Sequence, residues 1–199
     1  SKLLWDPYQN ADSLMNDFLS GYYGNAAKPI RQYIDELRIA LQRGGKPLRI
    51  FGSPVDAEET YLSPALMKKY EALFDEAEAA VIKDTPVLER VRIARLPLMY
   101  AMMEQAKKNY VGDNGVFIRK EGKWQVRNKI RTMIDPFTDL CLREGVTQLK
   151  EWATTPEAYR AAMYRIFAEG MKEHLAYGKK VTFISPDSSE LKPGQATML

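Results

Sequence analysis

The stretch Ser63-Pro64-Ala65-Leu66-Met67-Lys68-Lys69-Tyr70-Glu71-Ala72-Leu73-Phe74-Asp75-Glu76-Ala77-Glu78-Ala79-Ala80-Val81 decides the fold class. Leu66, Tyr70, Leu73, Phe74, Ala77 and Val81 recur at steps of three and four, which puts them on one helical face. Asp75, Glu76 and Glu78 mostly miss that face and read as its solvated side. Ser63 is a good N-cap, and Pro64 fits the first helical position, where a missing amide proton costs nothing.

The same grammar runs outward in both directions. Upstream, Leu14, Met15, Phe18, Leu19 and Tyr22 form one face of a helix that Asn10 or Asp12 caps and Gly24 stops. A second helix follows at once, with Pro29 near its first turn and Ile30, Tyr33, Ile34, Leu37 and Leu41 as its stripe, ending at Gly44-Gly45. Residues 46–62 are irregular, with Leu48-Arg49-Ile50-Phe51 strand-like but isolated before Gly52-Ser53-Pro54. Downstream, Thr85-Pro86 opens a helix carrying Leu88, Val91, Leu98, Met102 and Tyr110. Pro97 inside it predicts a kink or a break.

Residues 116–126 read as a small hairpin turning near Glu121-Gly122. Ile130, Met133, Ile134, Phe137 and Cys141 return to helical spacing across Pro136, and Thr155-Pro156 opens the last strong helix, with Tyr159, Met163, Ile166 and Phe167 inward. Beyond Gly178, Val181-Thr182-Phe183-Ile184 alternates like a strand, followed by Ser185-Pro186-Asp187-Ser188-Ser189 as loop or linker. The expected architecture is mainly α: a multi-helix, bundle-like domain over residues 1–178 with one small β-hairpin. Residues 179–199 read as a linker and a short strand-like tail entering a further β module. Both ends read as cuts through a longer polypeptide.

Composition narrows the chemistry. With 199 residues, 45% hydrophobic and 28% charged, the chain has material for a real core and is neither collagen-like nor disordered. No run of about 18 apolar residues predicts a membrane-spanning helix. A net charge of +3, with Lys and Arg dispersed among acids, gives no footprint for nucleic acid. The single Cys141 leaves no intrachain disulfide and reads as a buried small hydrophobe, while the single His174 argues against a multi-His metal site or a Ser-His-Asp triad. No cofactor is implied; the nine methionines are spread along helix faces.

Candidate ligand contacts are sparse. A glycosidase needs two carboxyl groups roughly 5 to 10 Å apart, and no spacing here specifies such a pair. Glu58-Glu59, in the irregular loop, is the acidic pair placed to approach a ligand. Trp5, Tyr8, Tyr22, Tyr23, Trp124 and Trp152 are flat platforms of the kind that face sugar rings, although Tyr22 falls on a helical stripe and Trp124 covers a hairpin. Trp5, Tyr8, Glu58 and Glu59 are thus the candidate substrate-binding residues; no catalytic or metal-binding residue is assigned.

The run Leu3-Leu4-Trp5-Asp6-Pro7, with Asp12 and then Phe18-Leu19-Ser20-Gly21-Tyr22-Tyr23-Gly24-Asn25-Ala26-Ala27-Lys28-Pro29-Ile30, resembles a known pattern. It is similar, over residues 3–43, to the segment that follows the catalytic barrel in bacterial glycoside-hydrolase-like proteins. These form a "domain of unknown function" family related to the alpha-glucuronidases. Arg90-Val91-Arg92-Ile93-Ala94-Arg95-Leu96-Pro97-Leu98-Met99-Tyr100 is a second, weaker match, and the similarity thins toward residue 178. In that family a Trp-Asp/Asn-Pro element ends the last barrel helix, so residues 1–5 would close a preceding (β/α)8 barrel. The tail from Val181 resembles the entry to a discoidin-type β-sandwich.

The resemblance implies a parent protein that degrades glycans and is periplasmic, surface-attached or extracellular. Its catalytic barrel would lie upstream, so no family catalytic residue carries over to this chain. The implied role is a non-catalytic helical accessory domain. It would brace the barrel, present a loop to the cleft rim and, by analogy with the glucuronidases, take part in a homodimer. Its implied partners are the upstream barrel and the downstream β-sandwich, with the glycan met through the parent. Two rivals are a free-standing helical protein-interaction module and a small enzyme using Glu58 beside an aromatic platform.

Overall fold

Side-chain caps start three of the described α-helices, and glycines with positive φ stop several of them. The computed structural model describes residues 6, 8–45, 52–150 and 154–171. Among these it has six α-helices: α1 (Ala11–Tyr23), α2 (Ala27–Gly44), α3 (Pro64–Ala80), α4 (Thr85–Asn109), α5 (Asn128–Arg143) and α6 (Pro156–Glu169). Short 3-10 turns occupy Gly24–Ala26 and Pro54–Ala57, and the strands β1 (Phe117–Lys120) and β2 (Lys123–Val126) pair antiparallel.

Asn10 and Thr155 cap as the sequence offers, Asp84 caps one residue ahead of the expected Thr85, and Ser63 makes no side-chain cap bond. Asn10 accepts from the Ser13 amide, Asp84 from Val87 and Thr155 from Ala158. Gly24, at φ 51°, closes α1, and Gly45, at φ 60°, closes α2. The hairpin pairs Phe117 with Val126 and Lys120 with Lys123, and both turn residues, Glu121 and Gly122, have positive φ. That geometry matches the twist of the two strands.

Two hydrophobic clusters make the core, and α4 joins them. Leu19, Ala26, Ile30, Tyr70, Phe74 and Ala77 from α1 to α3 meet Leu88, Val91, Leu98 and Ala101 of α4. Met103 and Ala106 of the same helix belong to the second cluster, with Val116, Phe117, Ile130, Ile134, Phe137, Cys141, Tyr159 and Met163. Leu96, Met99 and Tyr100 pack against the second cluster, while Leu98 and Ala101 pack against the first. Helix α4 therefore buries more than one face, which is why its apolar residues form no narrow stripe. Each of these large side chains contributes about 1.5–3 kcal/mol by leaving water.

Charged clamps hold the helices in register. Arg31 on α2 donates to Asp35 at 2.8 Å, to Asp12 on α1 at 2.7 Å and to Asn16 at 3.0 Å. Lys69 on α3 pairs with Glu36 on α2 at 2.6 Å. Arg95 on α4 reaches Asp75 at 2.7 Å and Glu78 at 2.8 Å on α3, and Lys129 on α5 pairs with Glu71. Asp75 and Glu78 thus face α4 while the rest of that acidic face meets solvent.

Two features depart from the sequence pattern. Of the kink or break expected at Pro97, the break does not occur: α4 runs as one helix through it. Pro97 is exposed, and its missing amide proton removes one backbone hydrogen bond from a helix that two core clusters hold. The α1 stripe is not buried as a core face: Leu19 is 2% exposed, but Phe18 is 57% exposed and Met15 and Tyr22 are each 40% exposed. The expected strand at 48–51, Trp5, Trp152, His174 and the whole 179–199 segment lie outside the described residues.

Candidate functional site

The irregular connection between α2 and α3 is built as a wall. Ser53 caps the Pro54–Ala57 turn through Val55, and Asp56 Oδ2 accepts from the Ser53 amide at 2.8 Å. The Leu62 amide donates to the Ala57 carbonyl at 3.1 Å. Gln105, buried on α4, donates through Nε2 to the Leu62 carbonyl at 2.8 Å and, more weakly, to the Pro54 carbonyl at 3.4 Å. Tyr70 on α3 donates its hydroxyl to the Tyr61 carbonyl at 3.1 Å. A segment without α or β structure is thereby pinned by side chains from two helices.

Glu58 is one of these pins. Its carboxylate accepts from Asn109 Nδ2 and pairs with Lys108 Nζ at 2.8 Å, both at the C-terminal end of α4. These contacts, with Asn109 the larger influence, hold its carboxyl below the usual glutamate range. Glu59 beside it is exposed to solvent. Tyr8 is almost wholly exposed, ahead of α1. Glu58 is thus committed to α4, while Tyr8 and Glu59 face solvent.

Between that wall, α2 and α4 lies an open cleft of about 790 Å³. Tyr33 and Leu37 line it from α2, Asp56, Thr60 and Tyr61 from the wall, and Pro97 and Tyr100 from α4. Tyr33 is braced edge-on against Tyr70 at 5.3 Å and against Phe74 at 4.8 Å. Tyr100 packs against Tyr159 at 5.6 Å and Phe137 at 6.3 Å. Burial pushes the hydroxyls of Tyr33 and Tyr100 above the ordinary tyrosine pKa. The sequence placed Tyr33 on a core stripe and marked residues 46–62 only as irregular, so the tyrosine convergence was hidden in the tertiary arrangement.

A second groove of about 650 Å³ runs between α3, α4 and α5. Its cations are balanced by acids: Arg95 by Asp75 and Glu78, Lys129 by Glu71, and Arg143 by Glu89. It is a charged seam between helices. Near α6, Tyr159 donates to Glu104 at 2.9 Å, and Lys107 pairs with the same carboxylate at 2.7 Å. Among the described residues no three of His, Cys, Asp and Glu gather as a metal site, and no helix is long and apolar enough to cross a membrane.

The α1 face forms a separate feature. Phe18 and Tyr22 stack at 5.3 Å with a 14° interplanar angle, and Arg90 from α4 lies 4.6 Å over the Tyr22 ring while donating to the Tyr22 carbonyl at 2.9 Å. Met15, one turn earlier, extends this exposed stripe. The stripe is rigidly presented, since Leu19 and Tyr23 of the same helix pack against the first core cluster.

No curated protein and no solved structure matches the chain. A family model described as "Domain of unknown function (DUF4838)" matches residues 1–35, the segment that carries α1 with its exposed aromatic stripe and the first turns of α2.

Proposed function

We propose that this chain is a non-catalytic helical accessory domain of an exported, glycoside-hydrolase-like protein, and that it braces the catalytic barrel through the Met15, Phe18 and Tyr22 face of α1. The observation that carries the reading is the exposure of that ordered apolar stripe within the family-matched residues 1–35. An apolar stripe rimmed by Asp12, Asn16 and Arg31 has the make-up of a surface that another element covers. The acids fit a structural role as well: Glu58, Glu71, Glu78 and Glu104 are each committed to an ion pair or hydrogen bond between elements.

The barrel is the favoured occupant because the sequence entering α1 resembles the last barrel helix of that family and its exit. Docking there would place α1 against the barrel wall and leave the cleft between α2 and α4 open. The test is Phe18→Asp with Tyr22→Asp in the native polypeptide, read by hydrogen exchange along α1 and by limited proteolysis. Faster exchange in α1 and release of the helical domain by protease support docking. An unchanged exchange and cleavage pattern refutes it.

A further inference from the structure

We propose that the cleft between α2 and α4 binds a neutral saccharide ring. Its volume, about 790 Å³, lies in the range of small-molecule sites and exceeds that of one hexose, so it takes one or two rings. Three tyrosines converge on it from three different segments, Tyr33 from α2, Tyr61 from the wall and Tyr100 from α4. Among the described residues, none of their hydroxyls has a hydrogen-bond partner, whereas Tyr70, Tyr159 and Tyr164 donate to Tyr61 O, Glu104 and Asp135. A phenol offers a flat apolar body and a tip that both donates and accepts. A sugar ring offers the complement, a face of C–H groups and a rim of hydroxyls.

The cleft is preorganised. Aromatic neighbours fix Tyr33 and Tyr100, while Gln105, Tyr70, Lys108 and Asn109 fix the wall that carries Tyr61. Little ordering is left for a ligand to impose, which favours binding. Tyr61, half-buried at the cleft, has no aromatic partner among the described residues, so the stacking role falls to it. Asp56 lines the same cleft, and one of its oxygens already accepts from Ser53. Its carboxylate accepts from sugar hydroxyls and repels an acidic sugar, so the site selects neutral rings over uronates.

This inference uses the cleft alone and stands or falls apart from the α1 docking face. The experiment is saturation-transfer-difference NMR on the 199-residue chain with glucose, xylose and glucuronate as probes. Glucose and xylose are expected to bind with millimolar affinity, more tightly than glucuronate, with the strongest transfer to ring C–H protons. Tyr61→Ala weakens binding by about tenfold or more. Tyr100→Phe, which keeps the packing and removes one hydroxyl, weakens it by a few-fold; Tyr22→Ala, on the α1 face, leaves it unchanged. No transfer from either neutral sugar overturns the proposal, as does tighter binding of glucuronate than glucose. Retained affinity in both Tyr61→Ala and Tyr100→Phe also overturns it.

Discussion

Replacing Gln105 with Leu removes the donor that ties the wall of the cleft to α4. Gln105 is 6% exposed, and its amide donates to the Leu62 carbonyl at 2.8 Å and the Pro54 carbonyl at 3.4 Å. Leu has similar volume, so the core stays filled and the loss is chiefly polar. The short bond is worth about 1 kcal/mol net, and a carbonyl left without a partner costs about 1–3 kcal/mol when fully buried. Leu62 and Pro54 are half-buried, so water recovers part of that. Roughly 2 kcal/mol of destabilisation results, or a Tm lower by roughly 4–8 °C. Urea unfolding followed by circular dichroism reads the change as a shifted midpoint at constant slope. Exchange of the Leu62 amide, bonded to Ala57, should accelerate as the wall loosens. Gln105→Glu should cost more at neutral pH, because a carboxylate then faces two carbonyl oxygens, and should recover on acidification. A loss below about 0.5 kcal/mol in both variants, with unchanged Leu62 exchange, would refute the pinned-wall account.

Other outcomes follow from separate parts of the structure. At Gly115 an added Cβ would lie 2.5 Å from the Val111 amide nitrogen, so Gly115→Ala should destabilise the turn before the hairpin by roughly 2–3 kcal/mol, read by thermal unfolding. Tyr159→Phe deletes the hydroxyl that donates to Glu104 from a buried ring and should cost about 1.5 kcal/mol in urea. Glu58 binds a proton less readily folded than unfolded, since Asn109 and Lys108 favour its charged form. Its contribution is therefore complete above the ordinary glutamate pKa of about 4.3 and is lost as pH falls through the lower folded value. Glu58→Gln should flatten that acid limb in a urea-midpoint series. Lys108, raised chiefly by Glu58, gives the mirror effect at alkaline pH, its contribution fading as pH rises through its folded pKa.

Local signals were strong where single residues decide them. Ser63-Pro64, Thr85-Pro86 and Thr155-Pro156 mark the starts of α3, α4 and α6, glycines mark the ends of α1 and α2, and Glu121-Gly122 marks the hairpin turn. Pro97 announces a kink or a break, and of the two the structure excludes the break: the proline costs α4 one backbone hydrogen bond, which the packed helix absorbs. The α1 stripe misled because periodicity reports a face without reporting its occupant: Leu19 is buried, and Phe18 beside it is exposed. Glu58 was visible as an acid in an irregular loop, but Lys108 and Asn109, about fifty residues away, decide what it does. Tyr33, Tyr61 and Tyr100 come from three segments, and no spacing in the chain announces their convergence.

The central claim, an accessory domain seated on a catalytic barrel, is tested most directly by the mass of the native polypeptide in its source cell. A denaturing gel probed with antibody against this chain gives it. The account predicts a band several times heavier than 22.8 kDa, and a band near 22.8 kDa would contradict it.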